Sequence, residues 1–434
     1  MLARPATSYE NHSAPWQPIV PEKVSYATQY AGLYFSRLSI QRPKAFRAAK
    51  AKWEGREVIN RVLDVPRNRV PVIIAGTVFV DMPLKPCILD VVAKESWVAA
   101  PPPRSKYTSD KDKVMLEDES GRLELVGPAI DAAFLVSGVI AAVLGFENGD
   151  NQFQVEGICF PEYKIEHPMS IIEDDLYVAF VSGISIGVDF SLSLELQLLV
   201  DFITGEAGLP TDQQRNASIC RLVIAGNTMA KKNVIISSYA AGSMAKSGQE
   251  IYAPGSLAAC DNLLSQLCSS VETDLMPGDQ DPTNYAIPQQ PMPSGLFPTS
   301  RGFSSFHAVT NPYSASVDGV RLLGTSGQPL NDIYKFVDGE DRLAMAERTL
   351  QWANMAPTAP DTLACYPFQD RDPFIIETHP DVYFMGNQPE FGTKLVTGSR
   401  GEKTRIVLVP SFAETKTIAL VNLRTLECRK VSFK

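Results

Sequence analysis

Between Leu176 and Met276 short apolar runs alternate with stretches of helical period, and this pattern limits the possible folds most. "LYVAFVSGISIG" reads as a buried strand. "SLSLELQLLVDFITG" reads as a helix with Leu192, Leu196, Leu199 and Ile203 on one face and Gly205 to stop it. The strand in "CRLVIAGNTMAKK", a helix around "LAACDNLLSQLC" and the strand "VETDLMPG" follow. Strands alternating with helices imply an α/β layered domain. The closing stretch "RIVLVPSFAETKTIALVNLRTLECRKVSF" reads as β-hairpins completing the sandwich.

From Val70 to about Phe160 the signals are β throughout. "VPVIIAGTVFV" is a long strand whose central glycine suits a bend at a barrel corner. "KVMLEDESGRLELVG" reads as a hairpin turning at Ser120-Gly121, and "SGVIAAVLGFENGDNQFQVEGICF" as another turning near Asn148-Gly149. Five such strands suit a small barrel of the oligonucleotide/oligosaccharide-binding (OB) type, with "PPPRSKYTSD" on an excursion from it. Before the barrel comes a polar, proline-punctuated arm. Two helices follow it: "YATQYAGLYFSRL", with Tyr26, Tyr30, Leu33 and Tyr34 on one face, and "PKAFRAAKAKW", whose Lys44, Arg47, Lys50 and Lys52 read as a solvated face.

Net charge is −9, which disfavours general attraction to nucleic acid, because counterion release needs clustered Lys and Arg. No apolar run is long enough to cross a bilayer, and the opening residues lack the apolar core of a signal peptide, so an intracellular protein is expected. Seven scattered cysteines without a CxxC pair fit reduced thiols rather than a disulfide framework or a zinc knuckle. Cys260 and Cys268 read as core thiols on a buried helix face.

The strand ends are where chemistry sits in α/β sheets. An Asp at 227 would make "LVIAGD" look like a metallophosphoesterase motif, but Asn227 stands there. A dinuclear phosphoesterase holds two divalent ions with Asp, Asn and several His at strand ends. "VSGISIG" places Gly183 and Ser185 at ligand positions, and "AGNTMA" places Asn227 and Ala230. "PGDQD" supplies Asp279, Gln280 and Asp281, "ANMAP" supplies Asn354, and "MGNQP" supplies Asn387 and Pro389. None of the four histidines (His12, His167, His307 and His379) falls at these positions; His167 and His379 precede prolines and read as surface-loop residues. Gly, Ala and Pro carry no donor atom, and amides bind metal weakly. A centre without metal or cofactor is expected.

Four stretches then carry a resemblance: "LMPGDQDPTNYAIPQQPMPSGLFP", "VDGVRLLGTSGQPLNDIYKF", "APTAPDTLACYPFQDRDPF" and "VYFMGNQPEFGTK". Together with "VDMPLKPCILD", "PPPRSKY" and "LEDESGRLELVG" they resemble the regulatory B-subunits of DNA polymerase delta over nearly the whole chain after the arm. "DPTNYAIPQQP" separates it from B-subunits of other replicative polymerases. The resemblance implies a non-catalytic scaffold in DNA replication and repair, located in the nucleus. Its implied fold is an OB-fold barrel packed on an inactivated calcineurin-like phosphoesterase αββα sandwich, with an N-terminal helical arm. The expected domains are an arm with helices over 1–60, the OB-fold over 61–165 and the inactive phosphoesterase over 166–434. Implied partners are the C-terminal cysteine-rich domain of the catalytic subunit and the N-terminal domain of a third accessory subunit, with weak or indirect DNA contact. Rival readings are a metallophosphoesterase with atypical ligands and a single-stranded DNA-binding module.

The proline-rich loop from Pro277 to Pro298 leaves two readings open. Prolines stiffen a long excursion and lower the cost of ordering it in a complex, or the loop folds back over its own domain. "APTAPD", Ala356 to Asp361, raises the same choice.

Overall fold

The computed structural model describes residues 4–17, 25–86, 104–165, 172–187, 193–230, 232–240, 243–252, 254–398 and 400–433. Cys87, His167, Leu192 and the prolines at 101–103 lie outside the described residues. Contacts divide the chain into two compact units. One comprises residues 25–164 and 329–378; the other comprises residues 1–24, 165–328 and 379–434. The first sixty residues are therefore shared between the units, and 329–378 joins the barrel unit.

Strand β1 (Tyr9–Asn11) belongs to the second unit. In the first, β2 (Val72–Asp81), β3 (Lys113–Glu117), β4 (Arg122–Val126), β5 (Ile140–Glu147) and β6 (Gln152–Cys159) close into a barrel ordered β2-β3-β4-β6-β5. The β3–β4 turn is tied by Asp118, whose carboxylate accepts from the N–H groups of Ser120 (2.7 Å) and Gly121 (3.1 Å). Gly76 sits where β2 passes its neighbours: a Cβ there would lie 2.6 Å from the Glu117 carbonyl oxygen. Only glycine permits that approach.

One helix, Ala31–Lys52, replaces the two expected and runs straight through Pro43. An interior proline costs about 3 kcal/mol or more, which is why its sequence reads as a break. Burial decides otherwise, because Leu38, Ala45 and Ala49 pack in one cluster with Ile73, Ala75, Ile140, Ala142 and Leu144 of the barrel. Tyr26 and Tyr30 precede the helix and are exposed, and Arg47, Lys50 and Lys52 lie on its open side. From its inner face Arg37, fully buried, donates to Asp372 (2.6 Å) and to the carbonyls of Gly138 (3.2 Å), Pro357 (2.7 Å) and Ala359 (2.8 Å). "APTAPD" therefore folds back on its own unit.

The second unit holds two six-stranded sheets. One runs β12-β11-β8-β7-β18-β19, from β7 (Tyr177–Val181), β8 (Ile219–Ala225), β11 (Glu272–Met276), β12 (Phe306–Ala308), β18 (Thr417–Asn422) and β19 (Cys428–Ser432). The other runs β1-β13-β14-β15-β17-β16, from β1, β13 (Tyr313–Val317), β14 (Val320–Thr325), β15 (Val382–Gln388), β16 (Gly392–Thr397) and β17 (Lys403–Pro410). Strands β9 (Lys232–Ala240) and β10 (Ser243–Ile251) pair with each other. The final third is thus not a run of hairpins. A short helix, Phe412–Thr415, carries the chain from β17 in one sheet to β18 in the other, and only β18–β19 is a hairpin.

The facing sides of the sheets share one core. Val178, Phe180, Val223 and Ala225 meet Val320, Leu322, Phe384 and Val407, and the rings of Phe180 and Phe384 lie 4.8 Å apart. The other face of the first sheet is covered by helices Leu194–Thr204 and Pro254–Cys268 through Leu196, Leu199, Ile203, Leu263, Leu264 and Leu267. Ser193 caps the first of these at its N-terminus and left-handed Gly205 ends it. Cys260 and Cys268 are free, buried thiols, and burial pushes the Cys268 pKa up to about 11.

The N-terminal arm is part of this unit. Its β1 pairs antiparallel with β13, and Trp16 is buried. Arg4 donates to the carbonyls of Ile203, Asn216 and Ile219, at the C-terminal ends of two helices. Cations are favoured there by the exposed carbonyls of the last turn. No helix of the described residues is long and apolar enough to cross a membrane.

Candidate functional site

Six strand ends of the two-sheet unit converge through side-chain and main-chain hydrogen bonds. Ser182, just past β7, donates to the carbonyls of Val409 and Pro410 at the end of β17, each at 3.1 Å. Its hydroxyl accepts from the N–H of Asn387 on β15 (2.8 Å). The Asn387 amide then donates to the carbonyls of Ala225, ending β8 (3.2 Å), and Ser326, following β14 (2.8 Å). Asn227 closes the circuit by accepting from the N–H of Gln280 beyond β11 (3.1 Å).

The backbone is unusual at the same places. Ser185, Asn227 and Asn387 have φ of 54°, 55° and 53°, and Gly183 has φ of 61°. Non-glycine residues rarely hold this conformation, and asparagine tolerates it best. The segments after β7 and β8 run side by side: Gly183 donates to Gly226 O (2.9 Å), Ser185 to Asn227 O (3.0 Å) and Ile186 to Thr228 O (2.9 Å). They approach so closely that a Cβ on Gly278 would lie 2.1 Å from the Asn227 side-chain oxygen, and one on Gly386 would lie 2.3 Å from the Ala225 carbonyl.

A metal pair needs several charged oxygens and imidazoles, and the residues here do not fit it. Asp281 is the buried carboxylate of the junction, and both its oxygens are engaged, one by the N–H of Met229 (2.9 Å) and one by the N–H of Gly278 (2.8 Å). Burial pushes it up to about 6, against the opposing effect of the surrounding backbone N–H groups. Asp279, Gln280 and Pro389 are exposed, and Ala230 is half-buried without a donor atom. The Thr228 hydroxyl is buried without a partner, and one neutral oxygen does not alter the donor count. Among the described residues no group of three His, Cys, Asp or Glu side chains is placed to hold a metal.

Of the ten positions singled out in the sequence, Gly183, Ser185, Asn227, Ala230, Asp279, Gln280, Asp281, Asn387 and Pro389 fall in this unit. Asn354 falls in the barrel unit, where it accepts from Ala356 N–H (2.9 Å) and donates to Asp372 (3.3 Å). His379, expected on a surface loop, is 9% exposed and hydrogen-bonds Thr404 at 2.9 Å; burial holds its pKa below the usual histidine range.

Two networks escape a motif search. Asn311 donates to Gln289 (2.8 Å), Ser326 (2.7 Å) and Gln328 (3.0 Å), while Gln289 donates to Gly278 O (2.9 Å). Their signal was amides beside Pro and Gly, in "PQQP", "TNPY" and "TSGQP". At the other end of the strands buried Arg221 pairs with Asp274 (2.6 Å), Tyr313 donates to Asp274 (2.6 Å), and the Tyr9 ring lies 3.8 Å from the Arg221 guanidinium carbon. A charge in the otherwise apolar strands "CRLVIA" and "ETDLM" marks this pair.

Comparison with known proteins agrees in both units. Residues 29–158 match the family described as DNA polymerase delta subunit OB-fold domain, and residues 178–393 match the family of DNA polymerase alpha/epsilon B-subunits. The chain is 41% identical over 408 residues to the DNA polymerase delta small subunit of Arabidopsis thaliana, covering 93% of this chain and 91% of that one. It is 35% identical to DNA polymerase delta subunit 2 of Drosophila melanogaster, covering 100% of this chain and 99% of that one. With the DNA polymerase delta small subunit of Saccharomyces cerevisiae it shares 33% identity, over 98% and 93% of the two chains. Likeness of this extent, across both units, means that the chain belongs to the DNA polymerase delta small-subunit family.

Proposed function

We propose that the chain is a non-catalytic subunit of a DNA polymerase delta assembly, acting in the nucleus in DNA replication and repair. It acts as a scaffold, holding the C-terminal cysteine-rich domain of the catalytic subunit and the N-terminal domain of a third accessory subunit, with only weak or indirect contact to DNA. In this reading the two-sheet unit is an inactivated calcineurin-like phosphoesterase. Gly183, Ser185, Asn227, Ala230, Asp279, Gln280, Asp281, Asn387 and Pro389 stand at former ligand positions, and Asn354, on the barrel unit, is the remaining one.

The observation that carries this reading is the use of polar atoms at the strand ends. Asn227, Asn387 and Asp281 direct their side-chain donors and acceptors to neighbouring backbone or loops rather than toward a shared point. Such an arrangement fixes main chain and offers no set of ligands. The test is reconstitution with the purified catalytic subunit and third subunit, followed by sedimentation. A ternary complex that forms only when this chain is present supports the scaffold. Stoichiometric bound manganese, zinc or iron together with phosphodiester turnover lost in Asp281→Ala would refute it.

A further inference from the structure

The loop from Pro277 to Pro298 is tied down on both sides of one residue that is not. Thr283 donates to Gln290 O (2.8 Å), and the Asn284 side chain donates to Pro288 O (3.0 Å) and accepts from Gln290 N–H (2.8 Å). Gln289, 1% exposed, reaches Gly278 O (2.9 Å) and Asn284 O (3.1 Å), and its backbone pairs with Asn311. Gln290 donates to Trp16 O (2.9 Å), fastening the loop to the arm. Between these anchors Tyr285 stands 79% exposed, the most exposed large hydrophobic side chain among the described residues. Among the described residues its ring and hydroxyl touch no partner by hydrogen bond or ring contact.

A tyrosine has few rotatable bonds, and its backbone here is fixed before any partner arrives. Both facts lower the entropy cost of binding. Tyrosine is also among the residue types that dominate interface energies when they enter a pocket. A buried amide network under a loop is demanding to maintain, since each unpaired amide costs about 1–3 kcal/mol. A loop merely closing over its own domain would bury its tip instead.

The charge around the tip separates two kinds of partner. From Glu272 to Ser300 the chain has no Lys, Arg or His, and Asp279 is exposed at the loop's opening. Single-stranded nucleic acid binds where aromatics alternate with cations that follow the phosphates. An aromatic beside a carboxylate suits a polypeptide. We propose that Tyr285 is the anchor by which this subunit docks a second polypeptide of the polymerase assembly, on a face offering an apolar slot edged by a basic side chain that meets Asp279. This rests on the scaffold reading and assigns one of its two interfaces to the proline-rich loop.

The experiment uses the full chain and measures its affinity for the purified catalytic subunit and third accessory subunit separately. Tyr285→Ala weakens binding to one of them at least tenfold and leaves the other, and the melting temperature, unchanged. Tyr285→Phe stays within about threefold of wild type, because the ring supplies most of the buried area. Leu209→Ala, at an exposed apolar residue elsewhere on the same unit, changes neither affinity. If wild type binds both subunits and Tyr285→Ala binds both within twofold of it, the loop assignment is overturned and the scaffold stands. Wild type that binds neither subunit removes both ideas. Tight single-stranded DNA binding lost in Tyr285→Ala would replace the polypeptide with nucleic acid and overturn the proposal.

Discussion

Replacing Asp281 by asparagine should flatten the dependence of stability on pH in a direction opposite to that of most carboxylates. Burial raises the Asp281 pKa from 3.8 to about 6 in the folded chain. Folding therefore favours its protonated form. The contribution is fully present below 3.8 and is lost as pH rises through 6, the reverse of a carboxylate stabilised by a cation. Ionising it in place costs about 3 kcal/mol at high pH relative to the acid form. Between pH 7 and pH 5 the recovered part is about 1.3 kcal/mol by the same linkage. For a unit of this size that is a rise of about 3–5 °C in melting temperature.

Other carboxylates titrate as well, so the readout is a difference: the shift between pH 7 and pH 5 in wild type minus that in Asp281→Asn. Asp118 and Asp261 are held below the usual carboxylate range, so they pull the other way in both proteins and cancel. At pH 7 the substitution has two opposing effects. It removes the buried charge, and it turns an NH₂ toward either Met229 N–H or Gly278 N–H, leaving one donor unpaired at a cost of about 1–3 kcal/mol. Stability at pH 7 should therefore change little, while the slope changes clearly. Calorimetry at five pH values from 5 to 7 measures it. Equal slopes in the two proteins would mean that Asp281 is not the dehydrated acid described here.

The other expected outcomes concern separate parts of the chain. Asn227→Asp should leave the protein without stoichiometric metal by mass spectrometry and without p-nitrophenyl phosphate turnover, because its neighbours still supply no ligands. Arg37→Met should destabilise the barrel unit by about 3–5 kcal/mol in denaturant titrations, since Asp372 is then buried without its cation; adding Asp372→Asn should recover part of the loss. Single-stranded DNA should bind weakly near physiological salt, and charge reversal at Arg47 and Lys50 should change that affinity by less than about threefold, because few phosphates are neutralised.

Local chemistry made parts of the fold legible before any coordinates. The Ser120-Gly121 turn, the Gly205 stop and the apolar run of β8 each follow from residues close together in sequence. What was hidden depends on partners far along the chain. Pro43 reads as a break until Leu38, Ala45 and Ala49 are seen against the barrel. The arm reads as loose until Arg4 is seen at two helix ends and β1 beside β13. His379 reads as a surface residue because its burial is supplied by β17, through Thr404. At the strand-end junction the donor count was legible from residue types alone, and the amide network was not, because Gln289, Asn311 and Gln328 are joined only by the fold.

That network bears on why the strand ends keep a strained form. A left-handed conformation costs a non-glycine residue roughly 1–2 kcal/mol, and Ser185, Asn227 and Asn387 each hold it. Glycine at 387 would remove the strain there, yet it would leave the carbonyls of Ala225 and Ser326 without the Asn387 amide. At 227 it would free the Gln280 N–H from the side-chain oxygen that holds the start of the proline-rich loop. Each lost bond matches or exceeds the strain relieved, because a buried unpaired group costs about 1–3 kcal/mol. The kinks are therefore held by the loops they fasten. A junction whose amides are all directed at loop backbone stabilises position rather than a transition state, and the position it stabilises most directly is that of the segment from Gly278 to Gln290 that presents Tyr285.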